Sequence, residues 1–270
     1  QRLVNPSRLS DGEEFKIYLE AKDYLEEDKK AKEDYEKING LIKNVVFEKL
    51  NIKTTQIKCL IDEKKISTEL TDKGKFVFSL EEKNEYLHLK DISIQVFYLN
   101  PSAKNSFTRI MGIEPVRYGS IFLYKNNFRI HPYGDEGDDW IGLEKRKGQG
   151  YARFLANREL MGRIELHGIQ KEFTEVSSRD GGVIKTEGYY QLIDLFINKV
   201  LRRLERYVIE GINWDSEEKL KSPEEIKQDS IDLIQKLTGQ VKDPDKNIKF
   251  NPDLLNILKS KQIENLPEVI

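Results

Sequence analysis

From Thr54 to Leu80 apolar side chains return at every second position. Ile57, Cys59 and Ile61 come first, and Phe76, Phe78 and Leu80 follow the turn-forming "DKG" at 72–74. A period of two puts alternate side chains on one face of a pleated strand. This stretch is therefore confined to half-buried strands joined by a hairpin. "DISIQVFYL" (91–99) adds a further strand. "GSIFLYKNNFRIHPYG" (119–134) is a second hairpin, since Asn126 and Asn127 tolerate positive φ between two apolar runs. "EFKIYLE" (14–20) and "LMGRIELHG" (160–168) also read as strands.

Helical periodicity appears in two places. Tyr35, Ile38, Leu41, Ile42, Val45, Val46 and Leu50 predict a helix over about 29–50, weakened by Gly40. Tyr189, Ile193, Ile197, Val200, Leu204 and Tyr207 or Val208 predict a long helix from Thr186 to near Gly211. "PSAKNSFTRIMGIEP" (101–115), with proline at both ends and no clear period, reads as a loop. After Trp214, "SPEEIKQDSIDLIQKL" and "NPDLLNILKSK" carry helix-start signals. The expected architecture is α+β: a mixed sheet covered by helices over residues 1–210, with a helical C-terminal segment over 211–270.

Composition limits the function. The chain has 270 residues, 38% hydrophobic and 34% charged, which suits a folded, highly charged chain rather than a disordered one. Its 45 Lys and Arg nearly cancel 47 Asp and Glu, so no global field draws in nucleic acid or a membrane surface. One cysteine, Cys59, excludes an internal disulfide, and no Cys/His cluster suggests zinc. No stretch approaches the ~20 apolar residues of a helical membrane span. These features fit a reducing cytoplasm. The first residue is Gln, and the chain is read as starting partway through a longer polypeptide.

Residues 175–182, "EVSSRDGG", form an unusual connector between a strand and the long helix. A guanidinium offers a planar fork of donors that matches phosphate oxygens. Arg179 is therefore a candidate anion ligand, with Ser177 and Ser178 as hydroxyl donors and Gly181 and Gly182 allowing close approach. The plainer alternative pairs Arg179 with Asp180 or Glu175. The stretch "GSIFLYKNNFRIHPYGDEGDDWIGLEKRKGQGYARFLANRELMGRIEL", with "EVSSRDGGVIKTEGYYQLIDLF", resembles bacterial GHKL-type ATP-binding proteins, relatives of MutL, the MORC ATPases and the ninety-kilodalton heat-shock chaperone. The resemblance runs from Gly119 to Phe196, is looser over 1–100 and stops by Trp214. It implies a transducer region similar to the second domain of a ribosomal small-subunit protein, with a left-handed βαβ crossover.

The same resemblance implies that Arg179 touches the γ-phosphate of ATP held, with magnesium, by a separate N-terminal ATPase domain. The family's magnesium-binding Glu/Asn motif, its Asp-x-Gly-x-Gly adenine motif and its glycine-rich lid do not occur in this chain. No catalytic residue and no cofactor of its own are therefore expected here. The expected partner is the nucleotide domain, with a second copy of the chain and DNA as further candidates.

A different class is a nucleic-acid scaffold. Lys199, Arg202, Arg203 and Arg206 recur at spacings of three and four on the long helix, and Lys145, Arg146 and Lys147 form a basic run. The plainer reading of either set is a solvated surface. A third class is a client-holding chaperone domain, marked by an exposed apolar patch. Asp135, Glu136, Asp138 and Asp139 read as an acidic turn, because their spacing fails the calcium-loop pattern. His88, His131 and His167 accompany no recognisable nucleophile motif. Cys59 and Trp140 read as core residues.

Overall fold

The structure is a computed structural model that describes residues 18–32, 36–41, 54–150, 153–177, 181–210 and 246–253. The alternating stretch forms three antiparallel strands, β3 (Thr55–Ile61), β4 (Lys65–Asp72) and β5 (Lys75–Lys83), and β6 (Ile92–Tyr98) pairs with β3 from the other side. Lys73 and Gly74 adopt positive φ in the β4–β5 turn. A bulge between β4 and β5 leaves Val77 as the extra residue, and both Val77 and Phe78 are buried in the same core. The second hairpin joins β7 (Ile121–Lys125) to β8 (Phe128–Ile130) through Asn126 and Asn127 at φ 48° and 70°.

With β9 (Leu160–Leu166) and β10 (Asn247–Phe250), the eight-stranded sheet runs β10-β5-β4-β3-β6-β9-β7-β8. Only β7 and β9 are parallel, so the sheet is mixed and the α+β expectation holds. β10 falls in the segment set apart at 211–270, yet it pairs with β5 at the sheet edge. The helices expected after Trp214 lie outside the described residues, apart from the first residues of "NPDLLNILKSK". Two short strands, β1 (Tyr18–Leu19) and β2 (Gly40–Leu41), pair with each other around α1 (Leu25–Lys30). A helix running unbroken through 29–50 is thereby excluded at Gly40; 33–35 and 42–50 lie outside the described residues.

Residues 101–115 are not a loop. Pro101–Met111 is a helix, α2, followed by a single turn, α3 (Pro115–Tyr118). The Asn100 side chain accepts the Ala103 N–H at 2.8 Å, Pro101 occupies the first turn, and Gly112 at φ 66° ends the helix. α2 buries Ala103 and Phe107 against Tyr118, Phe122, Tyr124, Phe97 and Met161, a small core on one sheet face. Each fully buried phenylalanine stabilises by about 1.5–3 kcal/mol. The segment after the acidic turn also contains a helix, α4 (Leu143–Gln149).

The main core fills the other face. There Ile57, Cys59, Ile66, Leu70, Leu80, Ile94, Leu123 and Ile164 meet the long helix, α5. This helix runs over 187–210 as α-helical Glu187–Leu195, π-helical Phe196–Leu201, α-helical Arg202–Glu205 and π-helical Arg206–Glu210. Its apolar stripe, including Leu192, Leu195, Phe196, Val200, Leu204 and Tyr207, lies on the sheet as the sequence predicts. Among the described residues no helix is long and apolar enough to cross a membrane.

Candidate functional site

The connector before α5 is a narrow hairpin with a built base. Glu175 and Val183 form an antiparallel bridge. The Val176 N–H donates to the Gly182 carbonyl and the Ile184 N–H to the Thr174 carbonyl, both at 2.9 Å. Two side chains fix this hairpin to the rest of the fold. The Lys125 ammonium donates to the Phe173 carbonyl at 2.8 Å, and the Tyr133 hydroxyl accepts the Val183 N–H at 3.0 Å. Gly182 sits at φ 63°, where a Cβ would come within 2.5 Å of the Tyr133 hydroxyl oxygen, so glycine is required twice over.

The start of α5 is tied to the same base. Thr186 caps it by accepting the Tyr189 N–H, while its own hydroxyl donates to the Glu172 carbonyl at 2.8 Å. The Glu172 carboxylate accepts the Gly188 N–H. The neighbouring Thr186 hydroxyl and the Gly188 N–H hold that carboxyl below its ordinary range. Of the expected phosphate ligands, Ser177 is exposed at the end of the described part of the hairpin. Ser178 and Arg179 lie outside the described residues.

The basic residues of α5 are not a solvent-facing ridge. Arg203 is only 5% exposed; it pairs with Glu82 of β5 at 2.6 Å and donates to Thr68 of β4 at 2.9 Å. Lys199 meets the second oxygen of Glu82 at 2.9 Å. One turn on, the Tyr207 hydroxyl donates to Asp72 at 3.0 Å, and Asp72 also accepts from Thr55. Lys199, Arg203 and Tyr207 thus face the sheet, whereas Arg202 is exposed and Arg206 half-buried.

The basic run at 145–147 is likewise mostly engaged within the fold. Arg146 makes a two-pronged pair with Glu205 of α5 at 3.0 and 3.1 Å and lies 4.5 Å over the Phe154 ring. The buried Lys147 donates to the Phe154 carbonyl and pairs with Glu159 at 3.2 Å. Lys145 stays exposed.

The acidic turn is structural: Asp135 pairs with Arg129, Asp138 accepts the Gly134 N–H, and Asp139 accepts from Glu144, Lys145 and Asn157. Burial raises the Asp138 carboxyl above its ordinary range. Among the described residues no group of three or more His, Cys, Asp or Glu is placed to hold a metal ion. Cys59 is a fully buried core residue whose thiol burial pushes up to about 11. His167 Nε2 lies 3.0 Å from the Ser93 hydroxyl, but the Glu165 carboxylate approaches that same nitrogen at 3.7 Å. A hydrolytic triad needs its acid on the opposite nitrogen, so this trio is not one.

Sequence reasoning missed two features. Tyr133, Trp140 and Tyr189 cluster under the hairpin base, with ring centroids 4.7 to 6.5 Å apart. Exposed apolar side chains also occur at this end of the sheet. Among the described residues between 54 and 210 the large exposed hydrophobics are Leu60, Leu87, Val116, Phe128, Ile169, Val176, Ile184 and Tyr190. All but Leu60 and Val116 lie on the hairpin, on the first turn of α5, or at the sheet end where β5, β7 and β9 finish. Leu87 (91% exposed) is held there by its neighbours: Tyr86 donates to Asp194, and the His88 N–H donates to Gln191, both on α5. Single exposed apolar residues carry little information, but these six share one end of the sheet.

No protein-family model, curated protein or solved structure matches this chain.

Proposed function

We propose that this chain is the transducer region of a GHKL-type ATP-driven protein, docking on a nucleotide-binding domain through the end of the sheet that carries the 174–184 hairpin. Arg179, assisted by Ser177 and Ser178, presents its guanidinium to the γ-phosphate of ATP, which the nucleotide domain holds with magnesium. Loss of that phosphate on hydrolysis releases the contact, and α5 relays the change to downstream segments. The finer fold assignment, a ribosomal-protein second-domain-like transducer with a left-handed βαβ crossover, belongs to the same proposal.

The observation that carries the reading is the coincidence of two features at one end of the sheet. A hairpin pinned at its base by Lys125 and Tyr133 shares that end with six of the eight large hydrophobics exposed among the described residues of 54–210. A connector held at its base, at a sheet end that exposes apolar side chains, suits docking against another folded body. The cation-ridge alternative has less to stand on, because Arg203, Lys199, Arg146 and Lys147 are paired with carboxylates of the same chain.

The test has two arms. Alone, the 270-residue chain should show no ATP turnover. In the parent protein with its nucleotide domain, Arg179→Ala should lower kcat at least about tenfold, the loss of one charge-assisted contact, while the KM for ATP changes less. Turnover by the isolated chain, or an unaltered kcat in the variant, would overturn the proposal. Filter binding to DNA that falls steeply with salt and disappears in Arg202→Glu with Arg206→Glu would favour the scaffold instead.

A further inference from the structure

We infer that Tyr133 is a positioning residue that couples the return arm of the hairpin to the first turn of α5. The inference rests on the reading of this hairpin as the element that engages a partner, and it adds how the engagement reaches the helix.

Three contacts meet on this one side chain. Its hydroxyl accepts the Val183 N–H, its ring fills the space that Gly182 leaves open, and that ring packs at a tilt beside those of Trp140 and Tyr189. Tyr189 belongs to the first turn of α5, and its amide is the one capped by Thr186. Trp140 closes the cluster from the sheet side, where its indole N–H donates to the Ile121 carbonyl at 3.0 Å.

Tyr133 is itself held firmly. The next residue, Gly134, donates its N–H to Asp138 at 2.8 Å and accepts the Ser120 N–H at 3.0 Å, while Arg129 donates to the Tyr133 carbonyl. A rigid ring placed between the base of the hairpin and a helix start transmits displacement of either to the other, because packed side chains shift together rather than compress.

The other anchor differs in kind. Lys125 holds the outgoing arm through the Phe173 carbonyl and reaches Glu175 at 3.9 Å, so both of its polar contacts lie on the hairpin side. The two anchors therefore predict different consequences when each is cut. Packing alone would be satisfied by phenylalanine at 133. The hydroxyl on a hairpin amide is the part that packing does not require.

The experiment is amide hydrogen exchange on the 270-residue chain, with Tyr133→Phe, Gly182→Ala, Lys125→Met and Arg179→Ala compared with the parent sequence. Tyr133→Phe should speed exchange at Val176, Val183 and Ile184 by about five- to tenfold, the loss of one net hydrogen bond. It should also speed the amides of Tyr189 and Tyr190, leave β3 and β4 unchanged, and alter Trp140 fluorescence. Gly182→Ala keeps the hydroxyl but displaces the ring, and should give the same pattern. Lys125→Met should loosen the hairpin and leave the first turn of α5 alone. Faster hairpin exchange without any change at Tyr189 would overturn the coupling, as would equal acceleration throughout the sheet. Arg179→Ala should leave all these amides unchanged. A failure of phosphate sensing therefore shows as unaltered turnover in the parent protein, and a failure of coupling shows here.

Discussion

The underside of α5 and the hairpin end of the sheet invert the usual arrangement in opposite ways. Under the helix, charged groups are buried: Arg203 and Lys199 share Glu82, and Tyr207 meets Asp72. At the hairpin end, apolar groups are exposed, with Leu87 and Ile169 at 91% and 86%. A buried charge is retained where a counter-charge waits across the interface, and an exposed apolar cluster where another surface is to cover it. The first region holds this chain together, and in the function proposed above the second is the one a partner covers.

That contrast can be broken by substitution, and the largest effect is expected under the helix. Arg203→Met removes the better-buried partner of Glu82 and should cost about 3–5 kcal/mol, read as a lower urea midpoint with unchanged slope. Tyr207→Phe leaves Asp72 with Thr55 and should cost about 1–2 kcal/mol by the same measurement.

Acid should act through the same contacts. Burial alone would raise the Glu82 carboxyl, but Arg203 and Lys199 outweigh it and hold it below its ordinary 4.5. A carboxyl lowered in the fold contributes stability that is complete above its unfolded value and fades as pH falls below it. The contribution of Glu82 should therefore be full above about pH 4.5 and decline beneath it. Melting temperatures at pH 3 and pH 6 should differ less in Arg203→Met than in the parent sequence; an equal difference would show that Glu82 is not the responsible group.

The smallest stability effect is expected at the other region. Leu87→Ser combined with Ile169→Ser should change stability by no more than about 0.5 kcal/mol, yet weaken association with the nucleotide domain. A large loss of stability instead would make these residues part of this chain's own core and dissolve the contrast.

Local pattern made much of the fold legible. Strict alternation in Ile57, Cys59 and Ile61 encodes the main face of β3, and Asn126-Asn127 encodes the hairpin between β7 and β8. α2 escaped because its polar residues, Lys104, Asn105 and Ser106, blur the helical period. Its boundaries were nonetheless written as Asn100-Pro101 at the start and Gly112 at the end, a stronger signal than periodicity in a short helix. The direction of Arg203 was not legible locally. Spacing along α5 shows that Lys199 and Arg203 share a face, but only strand pairing brings in Glu82, 121 residues from Arg203. The hairpin was legible as an oddity of composition, "EVSSRDGG", whereas its anchor Tyr133 was not, because its partner is a backbone amide 50 residues away.

The two π-helical stretches of α5 bear on geometry. In a regular α-helix each step of four residues overshoots a full turn by about 40°, so positions 199, 203 and 207 would wind progressively off a straight line. Wider π turns subtract from that drift, and Lys199 and Tyr207 lie in the two wide stretches on either side of Arg203. Their side chains can thus stay above neighbouring strands like rungs on a fixed rail. Removing a single residue from either wide stretch would swing the rungs beyond it away from the carboxylates beneath.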